Sequence, residues 1–176
     1  MTTPADTPDA DTARPTTAPP PRRDDSLPRL GQGFFWQDLA VGQRMRTFRR
    51  TVTETDLVQF ISVTGMLEAI FIEDGYDGGA IAGRPVPAAL TYTLIEGFIL
   101  QTMIQGTGLA MLELVQKIHG PVRVGDSIDA VVEVTGIRPT SKGNRAVVDS
   151  RIDVFNQDGS CVMTYDARRL LAGKPG

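Results

Sequence analysis

With 176 residues, 41% of them hydrophobic, the chain can close the core of one domain and still carry an appendage. Eighteen basic residues against twenty-one acidic ones give a net charge of −3, and no basic stripe is interleaved with aromatics, so the footprint of a nucleic-acid binder is absent. One cysteine, Cys161, and one histidine, His119, exclude an internal disulfide and a zinc site of the usual Cys/His spacing. No metal is therefore expected, and the expected compartment is a reducing cytoplasm. The N-terminus lacks the apolar core of a secretory signal.

Residues 1 to about 30 hold seven of the twelve prolines, with much Thr, Ala and Asp and almost no large apolar side chain. Such a segment cannot bury enough surface to offset its ordering entropy, and it reads as a disordered tail preceding a domain over 31–172 and a short C-terminal tail, 173–176. Folded sequence begins at Gly33-Phe34-Phe35-Trp36, whose aromatics are expected to plug one edge of the core. Met45 to Val52 reads as a basic edge strand, its arginines solvated and discouraging pairing with other chains. Thr53, with Asp56 three residues on, starts a helix whose apolar side is Leu57, Phe60 and Ile61 and which should stop near Gly65. From Met66 to Pro85 the pattern is irregular, rich in Gly and acidic. A loop of that length inside one domain is more often functional than idle.

Val86 to Gln105 predicts the central element, a helix of about five turns with a single formal charge, Glu96, and proline at its beginning. Apolar residues run round its sides as well as along one face, so it is expected to be wrapped by a sheet. It is too short and too rich in Thr, Gln and Gly for a bilayer span. Four strand-like runs follow: Leu109–His119, Ser127–Thr135, a run alternating through Ala146, Val148, Ile152 and Val154, and Cys161–Leu171, the last two joined by the hairpin signal Asn156-Gln157-Asp158-Gly159-Ser160. A long apolar helix followed by antiparallel strands predicts an α+β fold in which one curved sheet wraps the helix.

Three stretches in register resemble the MaoC-like dehydratases, the hotdog-fold branch that includes the (R)-specific enoyl-CoA hydratases. They are Phe35–Gln43 with Thr51–Asp56, then Gly83–Thr91, and finally Pro121–Ile128. The resemblance implies a five- or six-stranded antiparallel sheet round the central helix, dimerisation with itself or another hotdog chain, and a thioester pocket between protomers. It implies no separate cofactor, coenzyme A entering as part of an acyl-CoA substrate.

The catalytic segment of those hydratases reads Ser/Thr-Gly-Asp-x-Asn-Pro-x-His. The matching stretch here is Thr64-Gly65-Met66-Leu67-Glu68-Ala69-Ile70-Phe71, with Met66 and Phe71 at the places of the family's Asp and His. Hydration needs titratable groups within hydrogen-bond reach of water and of the α-carbon, and neither Met nor Phe supplies one. Glu68 is the candidate catalytic carboxylate, with a solvated loop acid as the alternative. Glu73, Asp74 and Asp77 read as solvated. His119, at a strand end outside this segment, reads as a structural donor, and Cys161 as a small core residue. By resemblance the turn opening the central helix offers a backbone N–H, from Ala88 or Ala89, to the thioester carbonyl. Gly65, Met66, Phe71, Arg84, Val86, Pro87, Ala88 and Ala89 form the expected binding set, Arg84 facing either the coenzyme A arm or solvent. Three functions stay open: an acyl-CoA hydratase or dehydratase with rearranged catalytic groups, a non-catalytic acyl-CoA binder or partner of a catalytic hotdog chain, and a thioesterase.

Overall fold

Six antiparallel strands form a sheet in the order β1-β4-β5-β6-β3, with β2 also pairing β4, in a computed structural model that describes residues 29–176. The tail expected over the first 30 residues falls almost entirely outside the described residues. The strands are β1 (Arg44–Arg46), β2 (Arg50–Thr51), β3 (Gly108–Ile118), β4 (Ser127–Pro139), β5 (Arg145–Phe155) and β6 (Cys161–Ala172). Three helices join them, α1 (Glu54–Thr64), α2 (Ala69–Ile72) and α3 (Ala88–Thr102). This is the expected hotdog arrangement, a long helix held against a curved sheet.

The period-2 pattern decides which face of the sheet is inside. Ile128, Ala130, Val132 and Val134 of β4, with Ala146, Val148, Ile152 and Val154 of β5, are buried and meet Leu90, Ile95 and Ile99 of α3. A register slip of one residue would turn all of them to solvent. The α1 cap is as read: Thr53 Oγ1 accepts the Asp56 N–H, the Asp56 carboxylate accepts the Thr53 N–H at 2.8 Å, and Gly65 closes the helix at φ 72°. Gly33 lies so close to α3's end that a Cβ there would sit 2.5 Å from the Gln105 nitrogen, and Phe34 N–H donates to the Met103 carbonyl at 2.8 Å.

Several sequence expectations change in detail. The edge run Met45–Val52 is two short strands, not one. Its arginines are not simply solvated: Arg46 and Arg49 flank Asp129, which is 4% exposed although alternation puts it on the wet face, and Arg50 pairs with Asp56. The loop Met66–Pro85 contains one helical turn, α2. Helix α3 spans Ala88–Thr102, with Pro87 as its N-cap at φ −54° and ψ 136°, outside the α region. Among the described residues no helix is long and apolar enough to cross a membrane, and no His, Cys, Asp and Glu cluster has metal-binding geometry.

Candidate functional site

The start of α3 is held by the turn between β3 and β4. Val86 N–H donates to the Val122 carbonyl at 2.8 Å, and Pro85 bridges Arg123. Pro87 is the N-cap and has no side-chain group to offer the helix. Its carbonyl accepts the Leu90 N–H at 2.9 Å and the Thr91 N–H at 3.3 Å, while the N–H groups of Ala88 and Ala89 find no partner among the described residues. Unpaired first-turn donors at the positive end of a helix dipole suit an oxygen that carries or develops negative charge.

Beside this turn lies a cavity of about 360 Å³. Ile70 and Phe71 of α2 line it with Ile81, Pro85, Val86, Ala88 and Thr91, and residues 118–122 with Val162 and Met163 make up the remainder. Thr91 and His119 are the only residues with polar side chains among those that line it. His119 Nε2 lies 3.1 Å from Thr164 Oγ1, and the Thr164 hydroxyl donates to Asp153 Oδ1 at 2.8 Å. A hydroxyl has one proton, and here Asp153 receives it, so the imidazole donates through Nε2.

A second polar group lies under the middle of α3. Glu96, 6% exposed, accepts from the Tyr165 hydroxyl at 2.8 Å and from Arg169 Nη2 at 2.5 Å, and Arg169 is 3% exposed. Burial pushes the Tyr165 hydroxyl far above the usual phenol range, and the Glu96 carboxylate pushes it the same way. Tyr92 packs edge-on against Tyr165 with ring centroids 5.2 Å apart. The sequence shows Glu96 only as the lone charge of an apolar helix; its partners are 69 and 73 residues away.

A family model described as FAS1-like, dehydratase domain region, matches residues 39–165. The chain belongs to this family of MaoC-like hotdog proteins. A 3-hydroxybutyryl-CoA dehydratase of Methylorubrum extorquens is 24% identical over 119 residues, 68% of this chain and 74% of that protein. The MaoC-like dehydratase of Rhodospirillum rubrum superposes with a TM-score of 0.74 at 21% identity, over 82% of this chain and 100% of that one. The R-hydratase PhaJ1 of Pseudomonas aeruginosa gives 0.69 at 25% identity, over 81% and 88%.

Within this MaoC-like chain the expected binding set is only partly gathered. Phe71, Val86 and Ala88 line the cavity, and Pro87 and Ala89, their neighbours in the chain, are not in its lining. Gly65, Met66 and Glu68 stand on the exposed turn between α1 and α2, with Met66 40% exposed. Glu68 is the exposed N-cap residue of α2, its carboxylate makes no hydrogen bond among the described residues, and it is not part of the cavity lining. Arg84 donates through Nε to the Phe71 carbonyl at 2.8 Å and pairs with Glu54, lining a neighbouring groove with Arg123 and Asp74. His119 is the residue that sequence reasoning set aside. It does act as a donor, to Thr164, and the residue also belongs to the cavity lining.

Proposed function

We propose that this chain holds an acyl-CoA thioester in the cavity at the start of α3 and acts on it as a hydratase or dehydratase. The observation that carries this reading is the pair of unpaired Ala88 and Ala89 amides at the start of α3, where Ala88 lines an apolar cavity of about 360 Å³ in a dehydratase-family chain. The thioester carbonyl would accept from that turn, the acyl chain would lie against Phe71, Val86 and Met163, and the coenzyme A arm would leave past Arg84. As carbonyl character gives way to enolate, the amides bind the developing charge more tightly than the ground state, which is what lowers a barrier. The carboxylate form of the reaction gives the proton transfer to Glu68.

Enoyl-CoA hydration by the purified chain tests this reading, with a panel of chain lengths. Turnover that collapses in Glu68→Gln supports the carboxylate form, and unchanged rates remove it. Met66 and Phe71, at the places of the family's acid and base, favour a second reading, a non-catalytic binder or the partner of a catalytic hotdog chain. Acyl-CoA binding without turnover supports that alternative. Release of free coenzyme A would instead make the chain a thioesterase.

The assembly we propose is a dimer through β3, with a second copy or a homologous hotdog chain. Every residue of this strand is exposed, including Leu109, Leu112, Val115 and Ile118, and its outer backbone edge has no partner among the described residues. An exposed, long apolar edge is a template for strand addition. Light scattering should give twice the chain mass, and Leu112→Glu should shift it toward monomer; a wild-type monomer at all concentrations rejects the assembly.

A further inference from the structure

We infer that the second half of α3 carries a separate binding site, for an apolar molecule that ends in a neutral hydrogen-bond donor such as a hydroxyl. A cavity of about 310 Å³ is lined by that half of the helix and by the beginning of β3. It shares no lining residue with the cavity at the start of α3, so the inference stands apart from the thioester reading. Glu96, Leu100 and Ile104 recur every four residues along one side of the helix and line the cavity with Gly108 to Met111. Ile104, Glu96 and Arg169 are buried, whereas Leu100, Leu109 and Met111 are between 42% and 52% exposed. The charged pair therefore lies deep, under an apolar rim.

The Glu96 carboxylate is not used up. Its hydrogen bonds from Tyr165 and Arg169 both fall on Oε1, and Oε2 has none among the described residues. Nor is Oε2 one of the unpartnered polar atoms shut off from solvent, whereas Arg169 Nε and Nη1 are. Both partners hold the carboxylate on the helix side of the sheet: Tyr165 and Arg169 share the inner face of β6 with Met163, Ala167 and Leu171, and Arg169 lines this cavity beside Glu96. The atom of the pair within reach of an entering molecule is thus an acceptor. Charge decides what it accepts from. Glu96 and Arg169 already cancel, so an ammonium would bring an uncompensated charge into the site and a carboxylate would set a like charge against Oε2, while a hydroxyl donates and keeps the balance. At about 310 Å³ the cavity is roughly twice as large as an apolar one that takes up benzene, room for a chain of about six carbons.

The test adds 1-hexanol, hexylamine or hexanoate, which share one chain and differ in charge, to the nitrogen-15-labelled full chain. Hexanol should shift the Gly106, Gly108 and Ala110 amides saturably with Kd on the order of 1 mM, and hexylamine and hexanoate should bind at least about tenfold more weakly. Leu100→Trp blocks the cavity from its rim without touching the ion pair, and it should abolish the hexanol shifts. Glu96→Leu combined with Arg169→Leu keeps an apolar cavity and should weaken hexanol about tenfold, the loss of one hydrogen bond to a carboxylate. Equal affinity for the three probes, hexanol binding undiminished in Leu100→Trp, competition between hexanol and butyryl-CoA, or no saturable shift at these amides overturns the site. So does hexanol binding that appears only in Leu112→Glu, because a second chain on β3 then fills the cavity. None of these results except the competition touches the thioester reading, whose own test is turnover and butyryl-CoA binding at the other end of the helix.

Discussion

The middle and the start of helix α3 meet polar chemistry in different ways. Under the middle, the Glu96 carboxylate takes the Tyr165 hydroxyl and the Arg169 guanidinium, and Glu96 and Arg169 both lie almost wholly out of solvent. Arg169 keeps Nε and Nη1 without a partner among the described residues. At the start, the Ala88 and Ala89 amides have no partner among the described residues, and Ala88 lines an apolar cavity. The side-chain pair fixes how the helix lies on β6, whereas open backbone amides at a helix start suit a ligand oxygen.

The largest effect that can break this comparison is at Glu96. Glu96→Leu strands the Arg169 charge in the core and should cost about 3–5 kcal/mol of unfolding free energy in urea titration. Adding Arg169→Leu should recover a good part of the loss. By contrast, His119→Gln should change stability by no more than about 1 kcal/mol, the worth of its hydrogen bond to Thr164. Equal losses at the two sites would erase the distinction.

The smallest effect is a control remote from both groups. Burial acting alone would raise the Asp56 carboxyl's pKa, but the Thr53 amide, the Thr53 hydroxyl and Arg50 outweigh it and hold the group below the usual carboxylate range. A depressed folded-state pKa stabilises the fold above the unfolded value of about 3.9, and that contribution is lost as pH falls through the folded value. Asp56→Asn should therefore cost about 1 kcal/mol at pH 7, with the difference from wild type shrinking below about pH 4, as urea midpoints at a series of pH values will show. Hydration activity at pH 7 should not follow it.

The parts of the molecule governed by local chemistry were legible in the sequence. Thr53, Asp56 and Gly65 declare α1 through capping and a left-handed terminus, and the alternation in β4 and β5 assigns the inner face residue by residue. Phe71, Val86 and Ala88, named from the Thr64–Phe71 and Gly83–Thr91 stretches, lie along one cavity. What did not show were pairings made by topology. Asp129 is buried because Arg46 and Arg49, some 80 residues earlier, close over it. Likewise, antiparallel pairing sets Asp153 opposite Thr164 and Lys117 opposite Thr164 from the other side, which brings His119, two residues past Lys117, to the same hydroxyl. Linear spacing carries no sign of such a chain.

The most direct measurement is a nitrogen-15 NMR titration of the full chain with butyryl-CoA, following the Ala88 and Ala89 amides. The two amides should shift together at one saturating stoichiometry. Shifts that gather instead around Arg169 and β3, with the α3 turn unmoved, would contradict the account.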